Sequence, residues 1–373
     1  MKISKKDALM WFRFFAELPE DEPLMPHQQE LAWAVISQIE TAVDARHKEL
    51  MAQIPDLHTL GGRYFVGDPA KFSKGCTSCL TGTGLSAIRR TNKCNIRCPF
   101  CYNYGELDCQ ETIGEGLWEI GGTYFRVEDI DLLLSTSNRP TGVSYVYLEP
   151  FMEIELYPDI IRKFRAAGIH QHMYTNGTLC TEENLRALGE AGLDELRFNL
   201  GATSCADNVI QSIATAKKYI PTVAIETPMT PDFYEHFQQK KDAILATGLD
   251  FINCAELHLN PNNLPNYIGT PMYMTRRGYV SPIWSREITF RLMRQCAVEH
   301  WGIVVHDCSN HTKFARDLNL RAKEGGWFGA SSYHSEFDQI PFEAFLPTLE
   351  DSDFRFLEEE PLPKGYRPGD IVL

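Results

Sequence analysis

The stretch LDELRFNLG, residues 193–201, alternates strictly between apolar and polar side chains. Leu196, Phe198 and Leu200 fall on one face of a strand, and Glu195, Arg197 and Asn199 on the other. A strand covered by helices turns its apolar face toward them, so the polar set must face a wet interior. The same division recurs nearby. IHQHMYTNG (169–177) groups His170, His172 and Tyr174, and INCAELHLN (252–260) groups Cys254, Glu256 and His258. Polar residues on one face of several strands fit an open barrel with a polar cavity better than a doubly wound sheet. In such folds the reactive groups sit at the C-terminal strand ends.

Further strands read outward from this one: GLSAIRRTN (84–92), GVSYVYLEP (142–150) and TVAIETP (222–228). Helical stretches separate them, among them YPDIIRKFRAAG (157–168), which ends at Gly168, and EENLRALGEAG (182–192), capped by Thr181. Six strands with helical connections predict an α/β fold, a partial (β/α)6 TIM-like barrel over residues 84–260. Residues 1–83 form an N-terminal helical region, punctuated by Pro23 and Pro26, that ends in a Gly-rich loop and KGCTSCLTGTG (74–84). Residues 261–373 form a C-terminal extension: a loop-rich stretch, a helix capped by Ser285, the short strand IVVHDC (303–308) and an acidic, Pro-rich tail.

The chain has 373 residues, a net charge of −14 and 43% hydrophobic residues. The acidic balance argues against nucleic acid or an anionic membrane as partner, because phosphate affinity needs clustered Lys and Arg. No run of eighteen apolar residues predicts a membrane span. The N-terminus lacks the small-residue cleavage site of a signal peptide. Eleven cysteines, an odd and partly clustered number, predict reduced thiols and metal ligation in a cytoplasmic setting.

Three of those cysteines lie in KCNIRCPFCYNYG (93–105), where Cys94, Cys98 and Cys101 are spaced C-x3-C-x2-C after the first strand of the series. A structural zinc would close its shell with a fourth protein ligand. A four-iron cluster held by three thiolates leaves one iron open. The stretch resembles the radical S-adenosylmethionine (radical SAM) superfamily, whose signature has this spacing with an aromatic before the last Cys, here Phe100. The resemblance covers about half the chain. It implies a [4Fe–4S] cluster on Cys94, Cys98 and Cys101, with S-adenosylmethionine as the fourth ligand. It also implies reductive cleavage of that cofactor to a 5′-deoxyadenosyl radical, and an oxygen-sensitive enzyme served by a flavodoxin- or ferredoxin-type electron donor. The family's Gly-Gly-Glu-Pro turn near the methionine amino group corresponds to Tyr147-Leu148-Glu149-Pro150, which keeps Glu149 and Pro150 but neither Gly. The implied cofactor contacts are Phe100, Glu149, Thr175, Asn176, Arg197, Asn199 and Glu226, with Ile225 beside Glu226 near the adenine.

Cys76 and Cys79 form a C-x2-C that would be half of a second iron–sulfur or zinc site. Cys109, His306, Cys308 and His311 are candidates to complete it; otherwise the two are free thiols in a tight turn. Glu256 and His258 are candidates for substrate contact or proton transfer, and Cys308 for hydrogen-atom donation. Cys180, Cys205 and Cys296 read as packing residues. Trp284–Glu287 and Glu324–Gly329 are expected to serve as lids. The substrate is unidentified; a small molecule is slightly favoured over a peptide, because the N-terminal helices lack the strand-rich pattern of a leader-binding domain. A non-catalytic iron–sulfur or zinc protein is the alternative of a different class.

Overall fold

The computed structural model describes residues 2–19, 22–104, 113–120, 123–135, 139–275, 278–312 and 340–356. Its centre is a nine-stranded sheet built from β1 (His58–Leu60), β2 (Arg63–Val66), β3 (Gly84–Ile88), β6 (Gly142–Tyr145), β7 (His170–Thr175), β8 (Glu195–Phe198), β9 (Thr222–Pro228), β10 (Phe251–Ala255) and β13 (Val304–Cys308). Two short ribbons supply the remaining numbers: β4 (Trp118–Ile120) with β5 (Thr123–Phe125), and β11 (Met272–Met274) with β12 (Val280–Pro282). The order across the sheet is β1-β2-β13-β10-β9-β8-β7-β6-β3. The seven strands from β3 to β13 are all parallel to their neighbours, in six pairings. The six expected strands therefore stand in chain order. The late strand IVVHDC joins them as a seventh, followed by β2, which is antiparallel to β13. β1 and β3 are the edges among the described residues, so the sheet does not close into a full barrel.

The helices are α1 (Lys5–Ala16), α2 (Pro26–Met51), α3 (Lys74–Leu80), α4 (Ile130–Leu134), α5 (Tyr157–Ala166), α6 (Glu182–Ala191), α7 (Asp207–Ala216), α8 (Pro231–Leu245) and α9 (Ile283–Glu299). The main core lies between the outer face of the sheet and helices α5 to α9. Leu196, Phe198 and Leu200 pack there with Ile160, Leu188, Ile213, Phe237 and Met293. The outward assignment of the apolar set on β8 therefore holds. A second core unites the two ends of the chain: Trp11 and Phe12 of α1, Val35 and Ile39 of α2, Phe345 and Leu349, and Tyr273 of β11. The helix expected to start at Ser285 begins two residues earlier, after Pro282. Ser285 is buried within it, where its hydroxyl donates to Met229 O and accepts from Leu257 N–H. Trp284–Glu287 is thus a packed helical turn and not a lid.

KGCTSC is a short helix rather than a turn. Ser73 caps α3 by accepting from Cys76 N–H. The helix lies against the inner face of the sheet, where Cys76 and Leu80 pack with Phe65, Phe72, Ala224, Phe251 and Val304. Gly75 makes this approach possible: a Cβ there would stand 2.7 Å from His172 Nδ1 and 2.8 Å from Arg197 Nη2.

Candidate active site

The Cys loop leaves β3 at its C-terminal end, and Cys94, Cys98 and Cys101 are each half-buried on it. The loop turns on bonds from Cys101 N–H to Cys98 O (2.9 Å) and from Tyr104 N–H to Cys101 O (3.1 Å). Burial, then the neighbouring Cys101 and Cys94, push the Cys98 thiol up to about 12. Burial also raises Cys94, against a hydrogen bond from the Asn176 side chain. Three thiols this close ionise together only if a cation offsets them, a charge that the iron of a cluster held by Cys94, Cys98 and Cys101 would supply. Among the described residues, no three His, Cys, Asp or Glu side chains converge as ligands of one ion. That is compatible with a cluster, whose three thiolates each bind a different iron and so stand further apart than the ligands of a single ion.

A feature not anticipated from the sequence holds this loop. Asn260, Asn263 and Asn266 follow β10, and their side-chain amides donate to three carbonyls of the Cys loop. Asn266 reaches Pro99 O (2.9 Å), Asn263 reaches Phe100 O (3.3 Å) and Asn260 reaches Tyr102 O (2.9 Å). The repeated Asn in NPNNLPN was a usable signal, since Asn side chains commonly bond to nearby backbone. The Phe100 ring packs into the second core with Leu257, Leu259 and Leu264, which anchors the loop from below.

Glu149, Thr175 and Asn176 come together as expected, at the C-terminal ends of β6 and β7. Glu149 is buried and accepts from Thr175 Oγ1 (2.8 Å), Asn176 N–H (2.7 Å) and Phe151 N–H (3.1 Å). Burial still pushes its carboxyl up to about 7. Its own N–H donates to Lys93 O, and Asn176 Nδ2 donates to Asn95 Oδ1, so both strand ends are tied to the Cys loop. The two missing glycines leave a trace: Tyr147 and Leu148 hold φ of 112° and 52°, a region that L side chains rarely occupy. The Arg89 guanidinium covers the Tyr147 ring at 4.3 Å. Asn199, at the end of β8, accepts from Thr227 Oγ1 (2.7 Å) and caps the turn at Leu200–Thr203.

On β7 and β8 the inner face is polar, as predicted, but α3 covers it, and β9, β10 and β13 add the apolar Ala224, Phe251 and Val304 to the same face. His170, His172 and Tyr174 follow one another with ring centroids 6.3 and 5.6 Å apart. Arg197, however, is engaged within this face. Its guanidinium pairs with Glu195 and with Glu226 (2.5 Å), and it donates to Tyr174 Oη (3.0 Å) and Ser73 Oγ (3.1 Å). Arg197 holds the Glu195 carboxyl well below the usual range against the effect of burial. Arg197 and Glu226, expected as cofactor contacts, are each held in an internal ion pair. Ile225 points outward into the main core.

The grouping of Cys254, Glu256 and His258 also does not hold. Cys254 faces outward into the main core, and Asn253 takes the inner position. Glu256 lies beyond the strand, where it accepts from Tyr273 Oη and from Asn310 N–H (2.6 Å) near Arg286. Arg286 in turn holds Asp307 at 2.9 Å. Glu256 is therefore part of a buried network joining β10, β11 and α9. His258 lies between Tyr102, tilted at 5.3 Å, and Tyr279, edge-on at 4.9 Å between ring centroids, beside the Cys loop. Cys308 is on the inner face at the end of β13, where Arg63 Nη2 donates to its sulfur at 3.4 Å. Cys76 Sγ is 3.7 Å from His306 Nε2, and burial pushes its thiol up to about 11. His311 is drawn instead to Asp44. Cys205 and Cys296 are residues of the main core, and Cys180 packs against that core. Cys109, Glu324–Gly329 and the tail 357–373 lie outside the described residues.

A parallel α/β sheet thus carries three thiols after its first strand, with Glu149, Thr175 and Asn176 at the neighbouring strand ends. Residues 88–239, about two fifths of the chain, match the family model described as the Radical SAM superfamily. One curated relative is the tungsten-containing aldehyde ferredoxin oxidoreductase cofactor-modifying protein of Pyrococcus furiosus. It is 23% identical over 184 residues, 43% of this chain and 48% of the relative. Another is a PqqA peptide cyclase of Methylocella silvestris, 26% identical over 125 residues, 32% of this chain and 30% of the relative. The chain thus spans about half the length, or less, of these relatives. Among solved structures, SuiB of Streptococcus suis bound to S-adenosylmethionine aligns with a TM-score of 0.36 at 14% identity, covering 46% of this chain and 40% of that one.

Proposed function

We propose that this chain is a radical SAM enzyme acting on a small molecule, with Cys94, Cys98 and Cys101 holding a [4Fe–4S] cluster. The observation that carries this is the joining of the three-thiol loop to Glu149, Thr175 and Asn176 through Lys93 O and Asn95. When bound, cluster and S-adenosylmethionine together supply a 5′-deoxyadenosyl radical that takes a hydrogen atom from the substrate. The protein's part is to bind, orient and exclude water. Glu149, with its two oxygens positioned by three donors, retains acceptor capacity for an ammonium group. Thr175, Asn176 and Asn199 line the adjoining strand ends. The Asn260–Asn263–Asn266 clamp fixes the loop that carries the thiols. His258 stands close enough to the Cys loop to touch substrate, and Cys308 faces the interior as a hydrogen-atom donor.

A flavodoxin- or ferredoxin-type protein would deliver the electron, and an oxygen-sensitive cluster suits a cytoplasmic setting. No helix among the described residues is long and apolar enough to cross a membrane. The Cys76–His306 pair supports a second metal site only if Cys79 or Cys308 moves to join it. Anaerobic reconstitution followed by iron, sulfide and zinc analysis tests the reading. About four irons per chain, lost in Cys98→Ala, is expected. About eight would add the second cluster, and zinc without iron would overturn the assignment.

A further inference from the structure

Resting on the radical SAM reading above, we infer that Arg63 anchors a carboxylate carried by the substrate, received on the inner face of the sheet beside Cys308. Arg63 lies on β2, outside the stretch that matches the family model. The pairing of Phe65 with His306 carries it to the C-terminal end of β13, where its Nη2 meets Cys308 Sγ at 3.4 Å. This is the end of the parallel sheet at which the Cys loop and the Glu149 triad also stand.

Arg63 is only 2% exposed, yet it has no carboxylate partner among the described residues, and its Nε has no hydrogen-bond partner. The equally buried Arg197 shows the contrast, with Glu195, Glu226, Tyr174 and Ser73 all engaged. Glu226 acts on Arg63 only through space. A guanidinium does not shed its proton to escape burial, so an unpaired one costs several kcal/mol until an anion arrives. Two further buried atoms on the same face lack partners: His306 Nδ1 and Asn253 Oδ1, on register-paired residues of β13 and β10. Arg63 Nε–H and, in its Nδ1–H tautomer, the His306 imidazole offer donors to one planar oxyanion, while Asn253 Oδ1, an acceptor, takes no part in holding it. Glu226 nearby makes a single carboxylate group a better fit than phosphate, whose two charges share one centre and add repulsion.

The test uses the full-length, anaerobically reconstituted protein and its thermal midpoint in acetate, succinate, phosphate or chloride at matched ionic strength. Acetate and succinate are expected to raise the midpoint above chloride. In Arg63→Met the succinate concentration for half the shift should rise at least about tenfold. Equal shifts in wild type and Arg63→Met, or a shift with phosphate alone, would overturn the inference. If the methionine variant does not fold, Arg63→Lys decides: loss of half the shift or more supports the fork-shaped contact, and an undiminished shift overturns it. The midpoint needs neither S-adenosylmethionine nor turnover. Failure here therefore leaves the radical reading standing, and absence of iron would report the failure of that reading separately.

Discussion

Leu148 and Tyr147 occupy a backbone turn shaped for glycine, and each carries the steric penalty of a Cβ at positive φ, about 1 kcal/mol or more. Leu148→Gly should therefore stabilise the folded apo-protein by about 1 kcal/mol, read as a higher thermal midpoint. Tyr147→Gly should gain less, because it also removes the ring under Arg89. His172 gives a pH prediction. Burial, then Arg197, hold its pKa well below the ordinary histidine value of 6.5. The unfolded chain therefore takes up this proton first as pH falls, so the stability from neutral His172 is complete above about 6.5 and is lost below it. Thermal midpoints should drop less in His172→Gln than in wild type between neutral and mildly acidic pH. Glu149, Thr175 and Asn176 were legible in the sequence because each sits at a strand end inside a contiguous motif. The ion pairs of Arg197 were not legible, because strand alternation gives its face but not its partners: Glu195 is on the same strand, and Glu226 and Ser73 come from two other segments.

The strands of the barrel were readable because their alternation is local and strong. β13 was seen as a strand but not as a member of the sheet, since only its pairing with β10 places it there. α3 was missed because a seven-residue helix with two cysteines shows too little periodicity; Ser73 three residues before Cys76 was the overlooked cap. The Asn clamp acts between elements. Asn263 is fully buried and donates to both Phe100 O and His258 O. Asn263→Ala leaves both carbonyls short of a donor, which should cost about 1–3 kcal/mol. It should also lower iron per chain after reconstitution, whereas Asn208→Ala, on exposed α7, should not.

The two ends of the chain are built into one core, a long-range arrangement that no local pattern in residues 1–50 announces. Phe12 meets Phe15, Phe342 and Phe345 edge-on at 6.0, 5.4 and 6.2 Å. Phe12→Ala should cost about 3–5 kcal/mol. Faster amide exchange should appear together in α1 and residues 340–356, with β7 to β10 little changed. The same core holds Phe100, so this change should also weaken cluster retention. The most direct test of the whole account is 5′-deoxyadenosine formation by the reconstituted, dithionite-reduced protein supplied with S-adenosylmethionine. Wild type should release it and Cys98→Ala should not; a folded, iron-loaded wild type that releases none would contradict the account.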